Sequence, residues 1–359
     1  MRADFFAIVD ADSTAIEQSV RGVLADVPAG SVGGPGESWE TPFVEAGFGM
    51  VGIPEQIGGV GGSLADAATV MRSLGAIPVS LPATETAYVA GALLAHTGGL
   101  VASGDVPVLA GPSWSTMPVL NTDTRRLSGV VRHVPWARHA ERLLVPAADG
   151  EQWRLAIIDP LRVAIVPGEN LAGEPRDDVV FDDVQVEFSD RRERGELIEI
   201  AAIAALLRAE AVAGALATIR DLTLDYAQTR TQFGRPLAGM QIIQQHLAEI
   251  AEEVSSVHAA VGKAARDGNV VACAAAKLRS LVAGETVARL AHQVHGAMGT
   301  SQEYPLGQLT KRVWSWARDG GTREDWATII GGLVAADPAS RTDLWTTVVA
   351  VGGPIGRTA

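Results

Sequence analysis

The chain has 359 residues, 47% of them hydrophobic and 20% charged, so it can bury a sizeable core in about two or three structural units. A net charge of −13 without a basic cluster excludes nucleic acid and anionic membrane surfaces as natural partners. The single cysteine, Cys273, sits in an apolar run; it allows neither a disulfide framework nor a cysteine metal site and reads as a small core residue.

No basic flank followed by an apolar stretch opens the chain, and no apolar run reads as an uninterrupted membrane span, so a cytoplasmic protein is expected. The first hundred residues read as helices. Ser13 to Leu24 is amphipathic, with Asp12 or Ser13 as cap, and Pro28 to Glu40 is a glycine- and proline-rich loop. A glycine-rich stretch from Gly58 to Gly62 precedes a helix capped by Ser63. Such a loop can cradle a phosphate, but it has no preceding strand and no lysine, so a structural turn is expected. Helices continue over Leu64–Leu74 and Thr84–His96.

Between Asp105 and Phe188 the period shortens. Val106–Leu109, Val130–Val134, Arg142–Pro146, Arg154–Ile158, Arg162–Val166 and Val179–Phe188 are β-branched and bounded by turn residues, which predicts an antiparallel sheet or barrel. Helices resume near Leu197. The pattern is α+β: an N-terminal helical unit over 1–104, a β unit over 105–192 and a C-terminal helical bundle over 193–359.

The run from Ile198 to Tyr226 is apolar on nearly every face, as a buried bundle helix is. It breaks at Gly234 and Pro236, and another helix begins near Gln241. The knuckle between them carries Arg230, Gln232 and Phe233. A guanidinium fork suits a phosphate, and an amide and a flat ring suit a nucleotide; the same residues also make an ordinary solvated corner. Further on, Gln293 to Thr300 offers a second motif. Gly296 and Gly299 allow a nucleotide close to the backbone and Gln293 can bond a base or ribose, or the segment is a plain helix end with a reverse turn. His295 reads as a packed residue.

Tyr226 through Leu237, followed by Met240, Gln241, Gln244 and Glu249, closely resembles the flavin-dependent acyl-CoA dehydrogenases. Gln293 through Thr300 with Tyr304-Pro305 resembles their second motif, and the order of helices, strands and helices matches their layout over essentially the whole chain. The resemblance implies FAD, an acyl-CoA substrate, an electron-transfer acceptor and no metal. It implies a carboxylate that removes the α-proton while the flavin takes a hydride from the β-carbon. In many members that carboxylate is the glutamate of a Glu-Gly-Thr turn, which falls here on Gly320, before Gly321 and Thr322. Other members carry it on the central helix, which falls on Ala204, and a substrate-contacting arginine falls on Ala205. With one inserted residue in the turn, Asp319 takes the glutamate's place as catalytic residue; Glu210, nearly two turns beyond Ala204, is a more remote substitute. The flavin-covering segment corresponds to Leu109–Pro118 and lacks its acidic residue and Gly-Ser-Asp. Trp136 either keeps the place of an aromatic near the flavin or is a core residue.

What is retained — Arg230, Gln232, Phe233, Leu237, Gln293, Gly296 and Thr322 — is implied by the resemblance to bind the cofactor, mostly at the adenine and pyrophosphate end of a neighbouring subunit's FAD. The pattern resembles the subunit without the base in the α2β2 acyl-CoA dehydrogenases of actinobacterial steroid catabolism. A subunit completing a homologous partner's site is therefore expected. Alternatives are a self-sufficient homo-oligomer using Asp319 and a flavin-free structural or regulatory subunit.

Overall fold

The structure, a computed structural model, describes residues 13–25, 27, 40–79, 84–95, 99–102, 105–109, 117–301 and 303–336. Four N-terminal helices, α1 (Ser13–Val23), α2 (Glu40–Glu45), α3 (Leu64–Gly75) and α4 (Thr84–Leu94), precede the strands. The strands are β1 (Asp105–Pro107), β2 (Val119–Asn121), β3 (Arg126–Pro135), β4 (Arg142–Asp149), β5 (Gln152–Ile158), β6 (Ala164–Val166), β7 (Arg176–Gln185) and β8 (Arg192–Glu193). Then come α5 (Arg194–Thr229), the hairpin β9 (Thr231–Gln232) and β10 (Arg235–Pro236), and helices α6 (Gln241–Asp267), α7 (Val270–His295), α8 (Leu306–Trp316) and α9 (Arg323–Ala336). The expected order of helices, strands and helices is present. The short strands β2 and β8 carry too few residues to show a period and were not expected. Asp12, the loop from Pro28 to Glu40 and the flavin-covering stretch from Leu109 to Pro118 lie wholly or mostly outside the described residues.

The strands form one eight-stranded sheet in the order β6-β7-β3-β2-β4-β5-β8, with β1 parallel to β4. Its core gathers alternate residues such as Leu127, Val131, Val145, Ile158, Val179 and Phe181. Leu144, Trp153 and Leu155 turn instead into the helical core, which seats the sheet on the bundle.

Helix α5 is the axis of that core. It is long and apolar enough to cross a membrane by length and composition alone, but 94% of its most apolar window is buried inside the protein, as the sequence expectation of a bundle helix has it. Its neighbours α3, α4, α6, α7 and α8 pack around it, and it is buried on every face from Ile200 to Leu216. The α3 crossing is backbone on backbone. A Cβ on Gly75 would lie 1.9 Å from the Ala211 carbonyl oxygen, and one on Gly214 would lie 1.9 Å from that of Arg72. Thr218 Oγ1 adds a hydrogen bond to the Ala76 carbonyl at 2.8 Å.

The glycine-rich stretch after α2 is a structural turn, as expected. Ile53 and Gly61 bridge across it, and Ser63 caps α3 in a reciprocal box with Asp66.

Gly214→Ala is expected to lower stability by at least about 2 kcal/mol in urea denaturation, because the helices must part to admit the methyl group. Gly331→Ala, at an open position of α9, is expected to raise it by up to about 1 kcal/mol. Equal effects of the two would contradict the close crossing.

Candidate functional site

Most of the residues singled out from the sequence fall on two separate surfaces. The first is a cleft of about 1340 Å³, open to solvent, between the sheet and the helices. Its buried lining includes Val89 of α4, Ala201 and Ala204 of α5 and Val313 of α8, with Pro107 of β1 and Arg176 of β7. Gly320, Gly321 and Thr322, on the loop between α8 and α9, also line it. Ala204 and Gly320, far apart in sequence, thus meet at one cavity. Neither has a side chain that can move a proton. Gly320 has φ +72°, and a Cβ there would stand 3.3 Å from the Ala205 Cα. A glutamate at Gly320 would be strained as well as crowded.

Asp319 lies on the cavity wall inside a buried ion cluster. Arg176 of β7 donates from Nε to Asp319 Oδ1 at 3.1 Å and from Nη2 to Oδ2, and Arg208 Nε of α5 stands 3.6 Å from Oδ2. Glu174 pairs with Arg176 at 2.9 Å and accepts from Trp316 Nε1, while the Arg208 guanidinium lies 5.2 Å above the Trp316 ring. Lys277 Nζ donates to the Trp316 carbonyl at 2.8 Å. Burial works to raise the Asp319 pKa, but the charges of Arg176 and Arg208, the hydrogen bonds from Arg176 and the charge of Lys277 outweigh it and hold the carboxyl below the usual aspartate range. A carboxylate so stabilised is a weak proton acceptor. The cluster staples the α8–α9 loop to the sheet. Burial also pushes Arg312, beside Glu174, down to about 10.

Thr322 closes α9 rather than presenting a free hydroxyl. Its Oγ1 donates to Asp325 Oδ2 at 2.8 Å and accepts from the Asp325 amide at 3.2 Å. Trp136 is a buried residue in left-handed backbone and does not line the cavity; Arg132, His133 and Pro135 line it from that strand instead. Sequence reading missed His133, because the register shift between Val131 and Val134 that exposes it follows from pairing with β7 and not from local period.

Glu210 is not in the cavity. It faces α3, where its Oε2 stands 3.6 Å from Arg72 Nη1 without a hydrogen-bond partner. Burial raises its pKa from 4.5 to about 7, against the opposing charge of Arg72.

The second surface is the end of the bundle. Phe233 and Gly234, with φ of 52° and 76°, form a two-residue turn between β9 and β10, whose twist suits a tight hairpin. The hairpin presents exposed Arg230 and Gln232, and the Phe233 ring is 90% exposed. Leu237 is buried with Ala227 and Val294, which brings this hairpin to the end of α7. Tyr226 stacks on His295 at 4.4 Å and reaches the His295 carbonyl. Gln293 and Gly296 are therefore beside the hairpin, both exposed, with open space where a Cβ on Gly296 would project. Gly299 is different: it is buried against His292, His295 and Leu306, so its missing Cβ serves packing. His295 is packed as expected. Nδ1 donates to the Ala291 carbonyl at 2.8 Å, which leaves Nε2 to accept from the Tyr304 hydroxyl at 3.2 Å; burial lowers its pKa and keeps it neutral. Among the described residues no group of acids, histidines and cysteines is placed to hold a metal ion.

An acid whose folded pKa exceeds its unfolded value contributes stability that is full below the unfolded value and is lost as pH rises through the folded one. For Glu210 the window is about 4.5 to 7. Glu210→Gln is expected to flatten stability across that window and, at pH 8, to exceed the parent by up to roughly 3 kcal/mol. A parent at least as stable as the variant at pH 8 in thermal denaturation would contradict this.

Residues 201–332 match the model of the acyl-CoA dehydrogenase C-terminal domain. The chain is 26% identical over 335 residues to 3-sulfinopropanoyl-CoA desulfinase of Paraburkholderia xenovorans, covering 80% of this chain and 85% of that one. It is 28% identical over 279 residues to the acyl-CoA dehydrogenase IpdE2 of Mycobacterium tuberculosis, covering 77% and 79%. In fold it is similar to a chain of the ChsE4-ChsE5 complex from Mycobacterium tuberculosis, with a TM-score of 0.79 at 19% identity, covering 93% of this chain and 100% of that one.

Proposed function

We propose that this chain, whose residues 201–332 match the acyl-CoA dehydrogenase C-terminal domain, is one subunit of a hetero-oligomeric, FAD-dependent acyl-CoA dehydrogenase. It grips the adenine and pyrophosphate end of the FAD held by a homologous partner, and the partner supplies the base. The observation that carries this reading is the split between the two surfaces. At the two positions where the resemblance expects the base, the cavity carries Ala204 and Gly320, which cannot take a proton, while the bundle end presents Arg230, Gln232, Phe233, Gln293 and Gly296 exposed together.

These residues fit a nucleotide arriving from outside the subunit. The Phe233 ring, 90% exposed to solvent, offers a flat face for adenine. The Arg230 guanidinium offers paired donors to a phosphate, Gln232 and Gln293 offer amides, and Gly296 leaves room for a close approach to the backbone. FAD, when bound, supplies the hydride acceptor. This chain's part is to orient and hold the nucleotide. Substrate is an acyl-CoA thioester, bulky sterol-derived acyl groups included, and a separate electron-transfer acceptor reoxidises the flavin in the cytoplasm.

The empty base positions favour a second reading, a reaction of acyl-CoA thioesters other than dehydrogenation. One relative is named a desulfinase. Release of sulfite from 3-sulfinopropanoyl-CoA by the purified chain alone would favour that reading over the first.

Arg230→Ala, co-expressed with a base-carrying homologue encoded nearby, is expected to yield a complex that has lost most of its flavin absorbance and with it the activity. Full flavin in that variant complex would contradict the grip. Asp319→Asn is expected to leave activity of the complex within a few-fold, whereas loss of a general base costs about a hundredfold or more.

A further inference from the structure

The polar groups at the bundle end come from two separate pieces of chain. Arg230 and Gln232 follow the end of α5, whereas Gln293 and Gly296 lie at the end of α7. The two ends meet in a small apolar cluster of their own, Ala227, Leu237 and Val294, apart from the main core. Apolar contact is non-directional. Three polar rings beside it add direction. Tyr226, in the last turn of α5, stacks on His295, the last residue of α7, with centroids 4.4 Å apart and planes at 25°. Tyr304, just before α8, meets the same imidazole at 5.1 Å and Tyr226 edge-on at 6.3 Å. Both His295 nitrogens are used: Nδ1 donates to the Ala291 carbonyl at 2.8 Å, and Nε2 accepts from the Tyr304 hydroxyl at 3.2 Å. The backbone leads from these rings to the exposed groups. The Tyr226 carbonyl accepts from the Arg230 amide at 2.9 Å, and the Arg230 carbonyl accepts from the Leu237 amide at 2.9 Å, which closes the hairpin. Gln293 lies two residues before His295, and Gly296 follows it.

Resting on the reading above, we propose that Tyr226, His295 and Tyr304 are a clasp of positioning residues that sets Arg230 against Gln293 and thereby the affinity for the nucleotide. None of the three has to touch the ligand. A hairpin of two-residue strands, with Arg230 and Gln232 exposed, has little rigidity of its own, so the last turn of α5 behind it sets its direction. The Tyr226 ring ties that turn to the end of α7, and His295, 3% exposed with both nitrogens bonded, has one orientation. Exposed groups held by fixed supports lose less freedom when they bind. A role confined to packing would lower stability and leave the affinity of the folded complex unchanged. A clasp changes affinity, and does so through Arg230.

The test is a titration with FAD of the deflavinated complex, this chain co-purified with a base-carrying homologue encoded nearby, followed by flavin fluorescence. Tyr226→Leu, which removes the stack, is expected to weaken FAD binding about fivefold or more. Tyr226→Phe keeps the stack and loses only a long 3.4 Å hydroxyl contact, so it is expected to stay within about twofold of the parent. Tyr304→Phe, which leaves His295 Nε2 without its donor, is expected to weaken binding about threefold. In an Arg230→Ala background, Tyr226→Leu is expected to add less than about twofold, because the clasp acts through Arg230. Parent-like affinity in Tyr226→Leu, or the same loss with and without Arg230, would overturn the proposal. If Tyr226→Leu does not fold, Tyr304→Phe decides the matter, and parent-like affinity there would overturn it. Unchanged affinity in Arg230→Ala would sink the nucleotide grip and the clasp with it. A loss in Arg230→Ala beside none in Tyr226→Leu would sink the clasp alone, so the two failures are distinguishable.

Discussion

The architecture depends on α5 being apolar on nearly every face along its central stretch from Ile200 to Leu216. A helix with no polar face has to be covered from every side. That requirement draws α3 and α4 from the N-terminal part, α6 and α7 from the bundle and α8 from the end of the described chain onto one axis. It also fixes where function can be placed. The helix runs past the cavity at Ala201 and Ala204 and ends at Thr229, immediately before the hairpin that carries Arg230, Gln232 and Phe233. The glycines at the α3 crossing are a consequence of the same demand, since backbones packed this closely leave no room for a Cβ.

The charged residues inside this core show how a polar group survives there. Arg208 and Glu210 lie two residues apart on α5 and point to different neighbours. Arg208 joins the cluster of Arg176, Asp319, Glu174 and Trp316, where charges and hydrogen bonds answer one another across the sheet–bundle boundary. Glu210 meets only Arg72 at a distance too long for a good hydrogen bond, and its carboxyl shifts toward the neutral form instead. The same physics explains why Asp319, held by Arg176 and Arg208, is suited to hold the wall rather than to take a proton.

Much of this was legible from residues alone. The period change at Asp105, the all-apolar run of α5 and the break at Gly234 and Pro236 are local signals, and the elements follow them. The knuckle and the Gln293–Thr300 segment were readable as a pair only through family resemblance; the structure joins them through Leu237, Ala227 and Val294. The vacancies at Ala204 and Gly320 were also visible in sequence, but their meeting at one cavity is a tertiary fact. What stayed hidden depends on contacts distant in sequence. The ion cluster spans from Glu174 to Asp319, the exposure of His133 depends on a bulge against β7, and Trp136 lies in the core because the turn after β3 folds it away from the cavity.

The central claim is that this chain holds the nucleotide of a partner's cofactor and runs no redox chemistry of its own. The absorbance spectrum of the purified chain, compared with that of the chain co-purified with a base-carrying homologue, tests this most directly. The account predicts little flavin absorbance for the chain alone and about one flavin per pair of chains in the complex. A chain that purifies alone with about one flavin per subunit and reduces an electron acceptor on addition of acyl-CoA would contradict it.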